Sequence, residues 1–158
     1  GNLISAPGKG FATDMKTLDG GRIGIASQAL GIAEGAFEIA RQYMKQRQQF
    51  GKPISKNQHL AFRMVDLANS IEMAKYMVYK AATDKDAHKP FSQAAAKAKL
   101  IAAETAMRVT TDAVQMMGGN GYMKEYHVER LMRDAKITQI YEGTSEVQKI
   151  VLSKTLFD

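Results

Sequence analysis

Between Leu18 and Gln48, apolar residues recur at steps of three and four without interruption, and that spacing excludes most folds. One set is Ile23, Ala26, Leu30, Ala33, Phe37, Ala40 and Met44; a second is Ile25, Ala29, Ile32, Ala36, Ile39 and Tyr43. A period near 3.6 belongs to an α-helix, and two adjacent apolar stripes require burial against more than one neighbour. Gly24, Gly31 and Gly35 lower helix propensity, so another backbone is expected to pack close to them. Residues 1 to about 17 lack the pattern and are expected to form a leading loop.

The same rhythm returns twice. Pro53 disfavours helix at Lys52, and the spacing then predicts a helix over Gln58 to Asp86, with Leu60, Met64, Leu67, Ile71, Ala74, Val78 and Ala81 on one stripe. After "AHKPF" at 87–91, a third helix is predicted over Ser92 to Met117, carrying Ala96, Leu100, Ala103, Met107, Thr110, Val114 and Met117. "GGNG" at 118–121 stops it. A short helix over about 125–135 turns Val128, Leu131 and Met132 inward, and a last one runs from Ser145 to about Leu156. Ser145 to Gln148 has the S-x-x-Q form of a capping box. No segment alternates with period two over a useful length. The expected fold is all-α: a single domain over 1–158, an up-and-down four-helix bundle with an additional short C-terminal helix.

Composition narrows the function classes. The chain has no cysteine, which excludes a disulfide framework and a thiolate metal site, and no metal site is expected. The net charge of +6 permits an anionic partner, but the lysines and arginines are dispersed among acids, without the dense basic run or interleaved aromatics that favour nucleic acid. No nucleic-acid partner is expected. No apolar run is long enough to span a membrane as a helix. The chain opens without an initiator methionine and reads as a segment of a longer protein.

Periodicity yields a bundle and no chemistry, so the irregular places carry the rest. In "LDGGR" at 18–22, Asp19 and Arg22 lie one turn apart and suit either an exposed ion pair or a site. "RQQFG" at 47–51 puts a cation at a helix end, which suits the helix dipole. "QMMGGNG" at 115–121 stops a helix without the strand–loop–helix context of a Rossmann or P-loop motif; its glycines would let a ligand touch backbone. In "IYEGTSEVQ" at 140–148, Glu142 falls outside any stripe and precedes Gly143. It is either a loop acid or a catalytic carboxylate.

Taken together, "LDGGRIGIASQALGIAEGAFEIA", "RQQFGKPI", "QMMGGNGY", "ERLMRDAKI" and "IYEGTSEVQ" resemble, in order and spacing, the C-terminal helical domain of the acyl-CoA dehydrogenases, closest to the short-chain, butyryl-CoA type. The likeness covers essentially the whole chain. It implies FAD-dependent oxidation of an acyl-CoA to the enoyl-CoA, with Glu142 as the base that removes the α-proton. Other members carry the base just before the arginine matching Arg22; here that position is Gly21. The resemblance further implies substrate contacts at Asp19, Gly20, Gly21, Arg22 and Gly143, the last leaving room for the acyl chain. Arg47, Phe50, Gln58, Gln115, Met116, Met117, Gly118 and Gly119 would contact FAD bound by a neighbouring subunit. Thr144, Ser145 and Glu146 would contact the FAD of Glu142's own subunit. A homodimer or homotetramer is implied, as is an electron-transfer flavoprotein as electron acceptor. Compartment is open: cytoplasm for a bacterial protein, mitochondrial matrix for a eukaryotic one. The alternative reading is a helical oligomerisation or binding module with no activity of its own.

Overall fold

The computed structural model describes residues 1–157. Helix α1 spans Gly10–Gln46, α2 Gln58–Asp86 and α3 Ser92–Met117. A single helical turn, α4, covers Gly119–Tyr122; α5 covers Val128–Ile137 and α6 Ser145–Phe157. The only strands among the described residues are β1, Gln48–Gln49, and β2, Lys52–Pro53, an antiparallel pair joined by Phe50 and Gly51. The three long helices run up, down and up. Helix α3 is the centre, packing against α1, α2, α5 and α6. The all-α bundle expected from periodicity is the fold found.

Helices α2 and α3 begin and end where their stripes and breaks place them. Helix α1 starts about eight residues earlier than expected. Residues 10–17 bury almost nothing, so no stripe marks them, yet Thr13 and Thr17 hydroxyls bond back to the carbonyls of Lys9 and Thr13. Adding turns to an existing helix is cheap beside nucleating one.

The first stripe of α1 is buried apart from a half-buried Phe37. In the second stripe Ala29 and Ala36 are buried, and Ile32, Ile39 and Tyr43 are partly covered. The expected close approach at the α1 glycines is not found. A Cβ added at Gly24 or Gly31 would meet nothing within 4 Å, and one at Gly35 would meet only Leu131 Cδ1 at 3.9 Å.

The deep face of α3 is not the expected stripe either. It is Ala95, Ala98, Ala102, Ala106, Val109 and Ala113, all with 0–1% exposure. Small side chains there let α1 and α2 approach closely, while Ala96, Ala103, Thr110 and Met117 of the expected stripe are also buried. Exposure on α3 is confined to one narrow face, Gln93, Lys97, Glu104, Arg108, Thr111 and Gln115, so the buried arc is wider than a single apolar stripe.

Candidate active site

Glu142 lies in the turn between α5 and α6, and its backbone is forced. Glu142 has φ +52° and Gly143 φ +87°, two consecutive left-handed residues. For a non-glycine residue that conformation costs on the order of 1–3 kcal/mol and persists only where the surroundings fix it. Here the surroundings are two buried side chains. Gln148, on the first turn of α6, donates Nε2–H to the Gly143 carbonyl at 2.9 Å and to the Glu142 carbonyl at 3.3 Å. Lys99 of α3 donates from Nζ to the same Gly143 carbonyl at 2.7 Å.

The carboxylate of Glu142 lies over Gly21 of α1. A Cβ on residue 21 would stand 3.0 Å from Glu142 Cδ and nearer still to Oε2. The missing side chain is therefore the space the carboxylate occupies. This contact brings the opening of α1 and the "YEGT" turn, 121 positions apart in the chain, into one site.

Within the fold, Gly143 also has a conformational and steric reason for being glycine. Beyond its positive φ, a Cβ there would meet Gln148 Nε2 at 2.7 Å and Val147 Cγ1 at 3.3 Å. It makes way for the side chain that anchors the turn. The expected capping box is likewise replaced. Thr144 caps α6, its Oγ1 accepting from the Val147 N–H at 3.3 Å, and Gln148 is turned away to the two carbonyls.

Around the turn the site is charged and closed in. Arg22 is 2% exposed; its Nη1 donates to Asp19 at 2.5 Å, and Asp19 also accepts from Ser92 Oγ at 3.1 Å. Lys85 of α2 reaches Gly20, its Nζ 3.4 Å from where a Cβ would be. Burial pushes the Lys99 ammonium pKa down and Arg22 adds to that, while Glu142 and Glu146 oppose it. The Glu146 carboxyl is held below the usual carboxylate range, first by its own backbone N–H and then by the Thr144 hydroxyl. Arg22 Nε, Ser145 Oγ and Gln148 Oε1 are buried beside this turn without a protein partner. Buried polar atoms are nearly always paired, so the donors and acceptors of this site suit a polar ligand edge. Asp19, Gly20, Gly21, Arg22, Glu142, Gly143, Thr144, Ser145 and Glu146 thus form one site. Lys99 and Gln148 belong to it and were not picked out from the sequence as site residues.

A second group of expected residues meets at the far end of the bundle. Arg47, Gln115, Met116, Met117, Gly118 and Gly119 line a cleft of about 790 Å³. Its floor includes the Arg63–Asp112 ion pair at 2.6 Å, and Asn120 is fixed by a 2.9 Å hydrogen bond to the Tyr43 hydroxyl. Two guanidinium groups and exposed glycine backbone fit an anionic, phosphate-bearing ligand. Phe50 and Gln58 do not line this cleft. Phe50 stands at the tip of the β1–β2 hairpin, 94% exposed and at φ +52°, and Gln58 is exposed at the start of α2. The two sites are far apart: 26 residues of α1 separate Gly21 from Arg47, roughly 39 Å along a helix.

The chain is similar to known proteins over almost its whole length. The family model described as acyl-CoA dehydrogenase, C-terminal domain, matches residues 8–157. The short-chain specific acyl-CoA dehydrogenase of Clostridium acetobutylicum is 64% identical over 156 residues, covering 99% of this chain and 41% of that protein. The structure of butyryl-CoA dehydrogenase from Megasphaera elsdenii superposes with a TM-score of 0.98 at 57% identity, over 99% of this chain and 41% of that one. A chain in a structure of the electron transferring flavoprotein of Acidaminococcus fermentans gives 0.97 at 58% identity, with coverages of 99% and 41%. The chain thus spans about two-fifths of the length of the proteins it matches.

Proposed function

The chain belongs to the acyl-CoA dehydrogenase family, through its C-terminal domain, and on that premise we propose that it serves the α,β-dehydrogenation of a short-chain acyl-CoA, with Glu142 as the base. The observation that carries the proposal is the Glu142 carboxylate held over Gly21 by a turn in which Glu142 and Gly143 are both left-handed. A carbon acid is weak, so its base must be fixed in place beforehand. Strain at a turn, held by buried donors, accomplishes that.

In this reading Glu142 takes the α-proton of the thioester while the β-hydrogen leaves with its electron pair. FAD, when bound, supplies the acceptor for that hydride. Asp19, Gly20, Gly21, Arg22 and Gly143 frame the substrate side, and Thr144, Ser145 and Glu146 the flavin side. The N–H groups at the start of α6 suit a polar or anionic edge.

We further propose that Arg47, Phe50, Gln58 and Gln115 through Gly119 hold the pyrophosphate and adenosine end of an FAD whose reactive end lies in another subunit. The separation along α1 supports this, because it exceeds the reach of one extended FAD from Glu142. Phe50, 94% exposed at the hairpin tip, offers an aromatic face on which an adenine ring of a neighbouring subunit's cofactor could stack. An electron transferring flavoprotein as electron acceptor belongs to the same proposal, and the kinship with short-chain enzymes motivates butyryl-CoA as the substrate to test.

Glu142→Gln in the full-length subunit tests the base. It keeps the shape and removes the basic oxygen. General-base catalysis is worth ~10²–10⁴ in rate, and near-complete loss of flavin reduction by butyryl-CoA is expected, with FAD still bound and the melting temperature unchanged. Bleaching within a few-fold of wild type would refute the assignment.

A further inference from the structure

Lys99 presents a problem that hydrogen bonding alone does not solve. It sits on α3 with no exposed surface, among alanines at 95, 96, 98, 102 and 103. A lysine is seldom fully buried unless something holds its charge. Its hydrogen bond goes to the Gly143 carbonyl, an acceptor that Gln148 already satisfies at 2.9 Å. The fold has no need of a second donor at that oxygen, and a neutral side chain in this position would avoid the desolvation of an ammonium. What the ammonium adds is a fixed positive charge beneath the turn, facing Glu142 and Glu146 and opposed by Arg22. A charged donor also grips a carbonyl more tightly than an amide does.

We propose that Lys99 is a positioning residue for the proton abstraction assigned to Glu142: its buried ammonium pins the Gly143 carbonyl and so fixes the turn that aims the Glu142 carboxylate over Gly21. The inference rests on the reading of Glu142 as base and names the group that acts through it. Gln148 holds both carbonyls of the turn from the α6 side, while Lys99 ties the turn to α3, the helix at the centre of the bundle. Tyr141, next to Glu142, ties the turn to Gln28 of α1; Lys99 is the hydrogen bond that ties the Gly143 carbonyl itself to α3.

The test uses Lys99→Met, near in length and without charge or donor, and Lys99→Gln as a second variant that keeps a neutral donor. In the full-length subunit, K99M is expected to slow flavin reduction by butyryl-CoA at saturation roughly 10–100-fold. KM should stay within about threefold, and the melting temperature should move by only a few degrees, since one charged hydrogen bond is lost together with one desolvated charge. K99Q should fall between K99M and wild type. In the 158-residue chain, the Gly143 carbonyl-carbon resonance should move in K99M. Unchanged rates in both variants, or an unmoved Gly143 resonance, overturn the proposal. So does failure of both variants to fold, which would make Lys99 a structural residue. Glu142→Gln run in parallel separates the two readings. If it too leaves the rate intact, the base assignment fails and this inference falls with it. If it abolishes reduction while both Lys99 variants react normally, the positioning role alone is wrong.

Discussion

Adding one methyl group at Gly21 separates what the site needs from what the fold needs. In Gly21→Ala the new Cβ would stand 3.0 Å from Glu142 Cδ and closer to Oε2, where ordinary van der Waals contact begins at 3.4 Å. The carboxylate must retreat by on the order of 1 Å to restore contact distance. It is the free end of a flexible side chain, so the retreat costs about 0.5–1.5 kcal/mol at most, the cost of an off-rotamer torsion. Against that, glycine inside a helix is about 1 kcal/mol less favourable than alanine. The two nearly cancel, and the melting temperature should stay within about 4 °C of wild type, the shift that 1 kcal/mol produces in a domain of this size. Catalysis has no such compensation, since a misplacement of about 1 Å can cost ~10²-fold. The assay is anaerobic stopped-flow reduction of the flavin by butyryl-CoA in the full-length subunit, with FAD content measured on the same sample and a thermal melt on the 158-residue chain. Expected is a loss of about 10²-fold with FAD content and melting temperature preserved. A G21A enzyme reacting within about threefold of wild type would refute the reasoning, because it would mean the Glu142 carboxylate does not work from the position over residue 21.

Other perturbations test the scaffold. Arg41 grips Glu38 through two hydrogen bonds of 2.7 and 2.6 Å, with Gln42 adding a third, and the Glu38 pKa is lowered to about 2 by them. A depressed carboxyl stabilises above its ordinary value of 4.5 and loses that contribution as pH falls toward about 2. The melting-temperature difference between wild type and Glu38→Gln should therefore be present near neutrality and vanish across that window; a difference constant with pH would contradict it. Ala106→Leu inserts three carbons where the side chain has 0% exposure, and overpacking of this kind should destabilise by about 1–3 kcal/mol in a chemical melt, whereas an unchanged midpoint would show slack in the α1–α3 seam. If two subunits share each FAD, the full-length protein should sediment as a dimer or a multiple of one, and a strict monomer with bound flavin would refute that arrangement.

How much of this was legible in the sequence depended on contrast. Helices α2 and α3 were readable to the residue because Asn57, Pro90 and Gly118 lie just outside their ends. The start of α1 was not, because residues 10–17 are helical without burying a face. Alanine hid the deep face of α3: the small residues at 95, 98, 102, 106 and 113 stand out less than the larger Leu100 and Met107, and the expected stripe was only one part of a wide buried arc. In the site, Glu142 was readable because it interrupts the pattern beside Gly143. Lys99 was not. Lys97 and Lys99 look alike in "AAAKAKL", yet Lys97 is exposed and Lys99 is enclosed; only the turn arriving from 44 residues later distinguishes them. Gln148 was visible but misread, since a capping box and a side chain folded back to the preceding turn share one spacing.

The two sites are linked by the helices that carry them. Helix α1 bears Gly21 about three turns from its start and Arg47 just beyond its end; α3 bears Lys99 in its first half and Gln115 near its end. Those two helices run in the same direction and pack against each other, and their buried faces are rich in alanine, at 26, 29, 33, 36 and 40 of α1 and 98, 102, 106 and 113 of α3. Such a seam holds a fixed distance because interiors at crystal-like density deform little. If the flavin contacted at Arg47 reacts in a second subunit, that distance sets where each subunit must present its cleft relative to its own Glu142. The stretch of α1 from Gly21 to its C-terminal end, roughly 39 Å to Arg47, is then part of the site: it is the spacer between the base of one reaction centre and the cofactor grip of the next.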